Sequence, residues 1–142
     1  MQKLDRKQMS LLPDLIIPIR IAFIKPTGVP SVISLWYEQI NGKIYCATQK
    51  TAKIVSYLQN NPCCGFELAT DKPPYRGIRG EAVAKITDNG SEILEILIEK
   101  YLGDKESNLS NFLRRNSNTE VAIEITPEKF YNYDYSQRMK GV

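Results

Sequence analysis

The 142-residue sequence contains no histidine. A Ser-His-Asp or Cys-His nucleophile system therefore cannot be assembled within one chain. Zinc sites that use imidazole are excluded with it, and three cysteines cannot supply a four-thiolate site. Cys63 and Cys64 are neighbours, so in a strand they point to opposite faces and cannot readily pair. All three thiols are expected reduced, and no metal site is expected. Long apolar runs are missing too: Leu15–Ile17 and Ile96–Ile98 are far too short to cross a bilayer. Near the start, Lys3, Asp5, Arg6 and Lys7 precede an apolar stretch cut by Pro13 and Pro18, which is no signal-peptide plan. A cytoplasmic protein without membrane or nucleic-acid partners is the expectation. The net charge of +3 permits an anionic ligand but lacks the heavy basic stripe of a nucleic-acid binder. Chemistry must come from carboxylates, amines, hydroxyls and thiols, or from a bound cofactor.

What remains is an ordinary globular composition, with 42% hydrophobic and 25% charged residues. The length suits a single domain over residues 1–142, with residues 1–14 as an arm or short leading helix. Ile19–Ile24 reads as a strand between Pro18 and the Lys25-Pro26-Thr27-Gly28 turn. Val29–Ile40, rich in β-branched and aromatic residues, reads as one second strand. Asn41-Gly42 then supplies the pair that tolerates positive φ at both centres of a type I′ hairpin, and Lys43–Thr48 returns.

Thr51 is a candidate N-cap for a helix carrying Ala52, Ile54, Val55 and Leu58 at helical spacing, closed by Pro62. Cys63–Ala69 and Arg76–Ile86 read as strands, joined through Asp71-Lys72-Pro73-Pro74, with Asp88-Asn89-Gly90 as the exit turn. Ser91–Leu102 is amphipathic, and Gly103 can take the left-handed stop. A shorter helix over 107–115 offers Leu109, Phe112 and Leu113 to the core. Glu120–Ile125 alternates, with Val121, Ile123 and Ile125 inward against Ala122 and Glu124 outward, until Thr126-Pro127 ends it. Six strands with few helices suit a closed or nearly closed antiparallel barrel, which hides its edges.

Two stretches carry a family likeness: N-G-K-I-Y-C-A-T-Q-K-T-A-K-I-V-S-Y-L-Q-N-N-P from Asn41, and Y-R-G-I-R-G-E-A-V-A-K-I from Tyr75. A strand ends in a small residue and Thr, a basic residue follows a hydroxyl residue by two, and a helix closes on Asn-Pro. With the strand order and the Ile-Thr-Pro-Glu of the last strand, the text resembles the pyridoxamine 5′-phosphate oxidase-like, FMN-binding split-barrel superfamily. The likeness covers residues 15–135. It implies a six-stranded antiparallel split β-barrel with short flanking helices, mainly β with α. It also implies a homodimer holding FMN where the subunits meet, and an oxidoreductase acting on a small molecule.

FMN ends in a phosphate that wants ammonium, hydroxyl and backbone donors. On this likeness Thr48, Lys50, Thr51 and Lys53 form a phosphate corner where a strand hands over to a helix N-terminus. The alternative is a solvated basic turn with a threonine cap. Ser34 and Trp36 sit on the strand that flanks the flavin ring in relatives; Trp36 serves the ring, the dimer contact or the core. Arg76 and Arg79, three apart on a strand, point to opposite faces unless a bulge intervenes, so one faces the ligand or partner. The aromatic run at 130–135 covers the barrel end or packs across the dimer. No catalytic side chain is assigned. True pyridoxamine phosphate oxidase activity is not expected, because the chain lacks the family's arginine- and histidine-bearing substrate segment and runs Y-S-Q-R-M-K-G-V instead. The same text is similar to that of relatives binding a deazaflavin coenzyme with a longer acidic tail. A flavin- or haem-binding module without turnover is the further alternative.

Overall fold

The computed structural model describes residues 15–104 and 106–141, so the expected arm or helix over 1–14 falls outside the described residues. The described residues form seven strands and three α-helices: β1 Ile19–Ile24, β2 Pro30–Leu35, β3 Glu38–Ile40, β4 Lys43–Gln49, α1 Lys53–Asn60, β5 Cys63–Ala69, β6 Arg76–Thr87, α2 Gly90–Leu102, α3 Asn108–Arg115 and β7 Glu120–Asp134. One sheet holds all the strands in the order β2-β1-β5-β6-β7-β4-β3, and every pairing is antiparallel. The Asn41-Gly42 turn closes the β3–β4 hairpin with φ of 51° and 81°, as its residue types require.

The fold class stands, but the strand count and the closure need correction. Val29–Ile40 is not one strand; it breaks at Trp36–Tyr37 into β2 and β3. Those two pieces lie at opposite edges of the sheet, so the hydrogen-bonded ladder is open. In a flat sheet the edges would be about 29 Å apart, six steps of about 4.8 Å. Leu35 and Glu38 are only three residues apart, a reach of about 10 Å. The sheet must therefore curl until its edges nearly meet. A single buried cluster drawing Ile21, Ile44, Phe66, Ile78 and Ile123 from five strands fills the resulting barrel.

Helix α1 adds Ile54, Val55 and Leu58 to that interior. Helix α2 lies against β4 and β7 and buries Ile93 and Leu97 over Ala122, with Trp36, Tyr45 and Tyr101 around them. Here a second expectation is corrected: Ala122 faces away from the barrel as its alternation requires, yet it is fully buried because α2 covers that face. Leu109 and Phe112 of α3 are exposed rather than in the core. That helix instead buries Ser110, whose hydroxyl and backbone N–H form a reciprocal capping box with Ser107.

The last strand does not stop at Pro127. β7 runs on to Asp134 beside β6, because a bulge sets Glu81 against Lys129 and Ala82 against Pro127. Glu128 is the extra residue, and the irregularity accommodates a proline that cannot donate to a ladder. The aromatic run is thereby part of the sheet through Asp134, with only Tyr135 beyond it.

Candidate functional site

The break at Trp36–Tyr37 creates the site. Carried on past Glu38, the β3–β4 register would set Tyr37 against Cys46, Trp36 against Ala47 and Leu35 against Thr48. Instead β2 swings away to pair only with β1, and β4 beyond Tyr45 pairs only with β7. A wedge opens between them, with its apex at Trp36–Tyr37.

Ladder alternation says which backbone groups face the wedge. The Lys25 N–H donates to Val29 O at 3.0 Å, so the pairs in step with it point Ser31, Ile33 and Leu35 at β1. Val32 and Ser34 then turn their N–H and C=O groups outward, toward the wedge. Likewise the Lys50 N–H donates to Thr119 O at 3.0 Å, which points Cys46 and Thr48 at β7 and leaves the groups of Ala47 facing the wedge. Open edges of this kind are sites for pairing with another backbone or with a ligand.

At the wide end lies a cleft of about 360 Å³. Lys25, Ser31, Val32 and Ile33 line one wall; Thr48, Ala52, Lys53 and Ile54 line the other. Phe23 and Tyr57, stacked with centroids 5.8 Å apart, close its floor. The first turn of α1 opens here, and the leading N–H groups of a helix have no intrahelical acceptor. No carboxylate lines the cleft, and among the described residues none pairs with Lys25, Lys50 or Lys53. Two ammonium groups, two hydroxyls and a helix N-terminus thus converge with no internal counter-charge. Such a corner takes an anion.

The structure brings Thr48 and Lys53 together in this cleft. Lys50 and Thr51 are exposed on the preceding turn and do not line it. Thr51 does not cap α1; Ala52 occupies the N-cap position with φ −63° and ψ 138°, and it makes no side-chain cap bond. Ser34 projects from the outer face of β2 opposite Arg20, so only its backbone reaches the wedge. Trp36 stacks on Tyr101 at 4.8 Å with the rings 6° from parallel.

Arg76 and Arg79 fall on opposite faces of β6, both exposed, and neither lines the cleft. Arg76 begins β6, its N–H donating to Thr70 Oγ1 at 3.1 Å. Arg79 lies on the outer sheet face, 3.7 Å from the Glu67 carboxylate and 4.3 Å from the centre of the Tyr133 ring. Sequence reasoning missed Lys25 and Ser31. The signal was the Lys25-Pro26-Thr27-Gly28 hairpin, which fixes their spacing, but nothing local says that this hairpin meets the β4–α1 corner.

A second concavity, of about 420 Å³, shares Val32 with the cleft and continues over the outer face through Arg20, Ala22, Glu67, Arg79 and Tyr131. Among the described residues no helix lines this concavity, and Val32 and Tyr131 are 64% and 51% exposed. The thiols stand apart from the cleft's chemistry. Burial pushes Cys64 up to about 12 and raises Cys46 further, while Cys63 is exposed. Among the described residues, no helix is long and apolar enough to cross a membrane.

The sequence matches no protein-family model, and no curated protein is significantly similar to it. Solved structures do match. A conserved hypothetical protein from Mycobacterium tuberculosis superposes with a TM-score of 0.77 at 20% identity, over 95% of this chain and 88% of the other. An F420 reductase gives 0.73 at 17% identity, over 90% and 98% of the two chains. A Listeria innocua protein provisionally named a pyridoxamine 5′-phosphate oxidase gives 0.62 at 14% identity, over 81% and 86%. The antiparallel curled sheet, split where β2 parts from β4, is the fold of pyridoxamine 5′-phosphate oxidase-like proteins.

Proposed function

We propose that this protein is a flavin-dependent oxidoreductase of a small organic substrate, with the cofactor's anionic tail in the β4–α1 corner and its ring along the open edge of β2. One observation carries the reading: Lys25, Lys53, Ser31 and Thr48 converge with the α1 N-terminus, free of any carboxylate, beside two unpaired strand edges. The donor set fits a phosphate, and the alternating donors and acceptors of Val32, Ser34 and Ala47 fit a heteroaromatic ring edge.

When bound, a flavin supplies hydride or single-electron transfer through its own ring. The chain's part is to bind and orient. Lys25 and Lys53 balance the tail's charge, Thr48 and Ser31 fix its oxygens, and the β2 edge holds the ring plane. Phe23 and Tyr57 keep water from the floor. This division suits a chain with no histidine.

FMN is the first candidate. A deazaflavin coenzyme with a longer acidic tail is the second, favoured by Lys50, a third ammonium with no ion pair among the described residues, just outside the cleft, that one phosphate does not need. The outer face of β2, β1, β5 and β6, which no helix lines among the described residues and which exposes Val32 beside the cleft, is the surface through which we propose that a second copy completes a homodimer. Titrating the purified protein with FMN and with the deazaflavin, followed by ligand fluorescence, tests the reading. Saturable binding of either at micromolar concentration supports it and names the cofactor; binding of neither overturns it. Sizing chromatography near twice 16.2 kDa is expected of the dimer.

A further inference from the structure

The stretch S-V-I-S-L-W-Y-E-Q-I has β-branched residues on both sides of the aromatic pair Trp36–Tyr37 and no glycine, proline, asparagine or aspartate, so the break there is not locally encoded. Extending the β3–β4 ladder by its own register would let Trp36 and Ala47 exchange two hydrogen bonds, and Ser34 and Gln49 could follow. Those bonds would satisfy the open edges and zip the wedge shut. Something must hold it apart.

The holding groups come from α2. The Tyr37 N–H donates to the Tyr101 hydroxyl at 3.2 Å, and that hydroxyl donates to Ile17 O at 2.8 Å. Lys100 Nζ donates to Tyr37 O at 3.0 Å and sits 3.8 Å above the Tyr37 ring. It also lies 3.9 Å from the Glu38 carboxylate, with its side chain only 9% exposed. Trp36 is stacked on Tyr101. Both backbone groups of Tyr37, its ring and the neighbouring indole are thus gripped from one turn of one helix. A nearly buried ammonium is costly unless compensated, and the Tyr37 carbonyl, the Tyr37 ring and the Glu38 carboxylate at the apex of the wedge contribute to compensating this one.

We propose that Lys100 and Tyr101 form a latch that fixes the Trp36–Tyr37 break and keeps the β2–β4 wedge open, which makes Lys100 a positioning residue for whatever binds there. Lys100 does not line the cleft, and the Tyr37 groups that it and Tyr101 hold would face away from β4 in an extended ladder. The latch therefore acts by pinning the chain at Tyr37 and keeping Trp36 and Ser34 out of register with Ala47 and Gln49. The link to ligand binding rests on the flavin reading above, whereas the link to strand pairing does not.

The test compares wild type, Lys100→Met, Lys100→Arg and Tyr101→Phe by residue-resolved amide exchange and by FMN and deazaflavin titration. The latch predicts that Lys100→Met slows exchange at Trp36 and Ala47 by at least about tenfold as those groups pair. Affinity for the ligand that wild type binds should fall by a similar factor, and Lys100→Arg should restore both. Tyr101→Phe keeps the stacking but loses the hydroxyl's bonds to Tyr37 and Ile17; it is the fallback should Lys100→Met not fold, and it should move both readouts the same way. Unchanged or faster exchange at Ala47 in a folded variant overturns the latch. A wild type that binds neither cofactor overturns the functional reading alone, and the exchange result still decides the latch.

Discussion

Removing charge at the cleft should separate the residues that reach the anion from those that only neighbour it. Lys53 and Thr48 line the cleft, whereas Lys50 and Thr51 sit one turn away with their side chains outside it. A charge-assisted hydrogen bond contributes about 1.5–3 kcal/mol, or roughly 10- to 150-fold in Kd. Lys53 is exposed, so solvent screening places the expected loss for Lys53→Met at the lower end, about tenfold. Thr48→Val removes a neutral donor of about 0.5–1.5 kcal/mol and should cost about two- to tenfold. Lys50→Met and Thr51→Ala should stay within about twofold for FMN, since a more distant exposed charge is largely screened. Fluorescence titration at low and near-physiological salt measures all four, and the Lys53 effect should shrink as salt rises. If Lys50→Met proved as damaging as Lys53→Met, or Lys53→Met bound FMN like wild type, the anion would not sit in this corner.

Other expectations follow from the packing. A Cβ on Gly80 would lie 2.1 Å from the Lys129 carbonyl oxygen and 2.9 Å from the Phe66 ring, so Gly80→Ala must push the β7 bulge outward. Overpacking of that kind costs about 3 kcal/mol, a fall in Tm of about 6–12 °C by calorimetry; a change under about 2 °C would refute the bulge geometry. Burial raises the carboxyl of Glu120, whose Oε2 has no hydrogen-bond partner among the described residues. A raised folded pKa favours the folded state at low pH and loses that contribution as pH climbs through it, so Glu120→Gln should raise Tm at pH 7 with the gain vanishing below about pH 4.5. An equal shift at every pH would argue against charge burial. Native protein should react with a thiol reagent at Cys63 only, with Cys46 and Cys64 appearing on denaturation. Three thiols reacting at one rate would contradict the buried pair.

The sequence by itself determined whatever depends on neighbours along the chain. Asn41-Gly42 dictated its hairpin because few other pairs accept two positive φ values. The apolar spacing of α2 and the alternation at 121–125 dictated which side chains turn inward, and the missing histidine ruled out whole classes of catalysis. That Thr48 and Lys53 share one cleft was legible because one strand-to-helix corner holds both. Tertiary structure decided the rest. Ala122 is buried because α2 packs over it, and β7 passes Pro127 because β6 offers a partner across a bulge. Lys25 and Ser31 join the cleft only once the sheet curls, which brings the β1–β2 hairpin against the distant β4–α1 corner. Above all, a continuous strand-forming stretch is cut in two at Trp36–Tyr37 by side chains from residues 100 and 101. Strand propensity is local and weak, whereas the contacts that override it span some sixty residues of chain and exist only in the folded barrel.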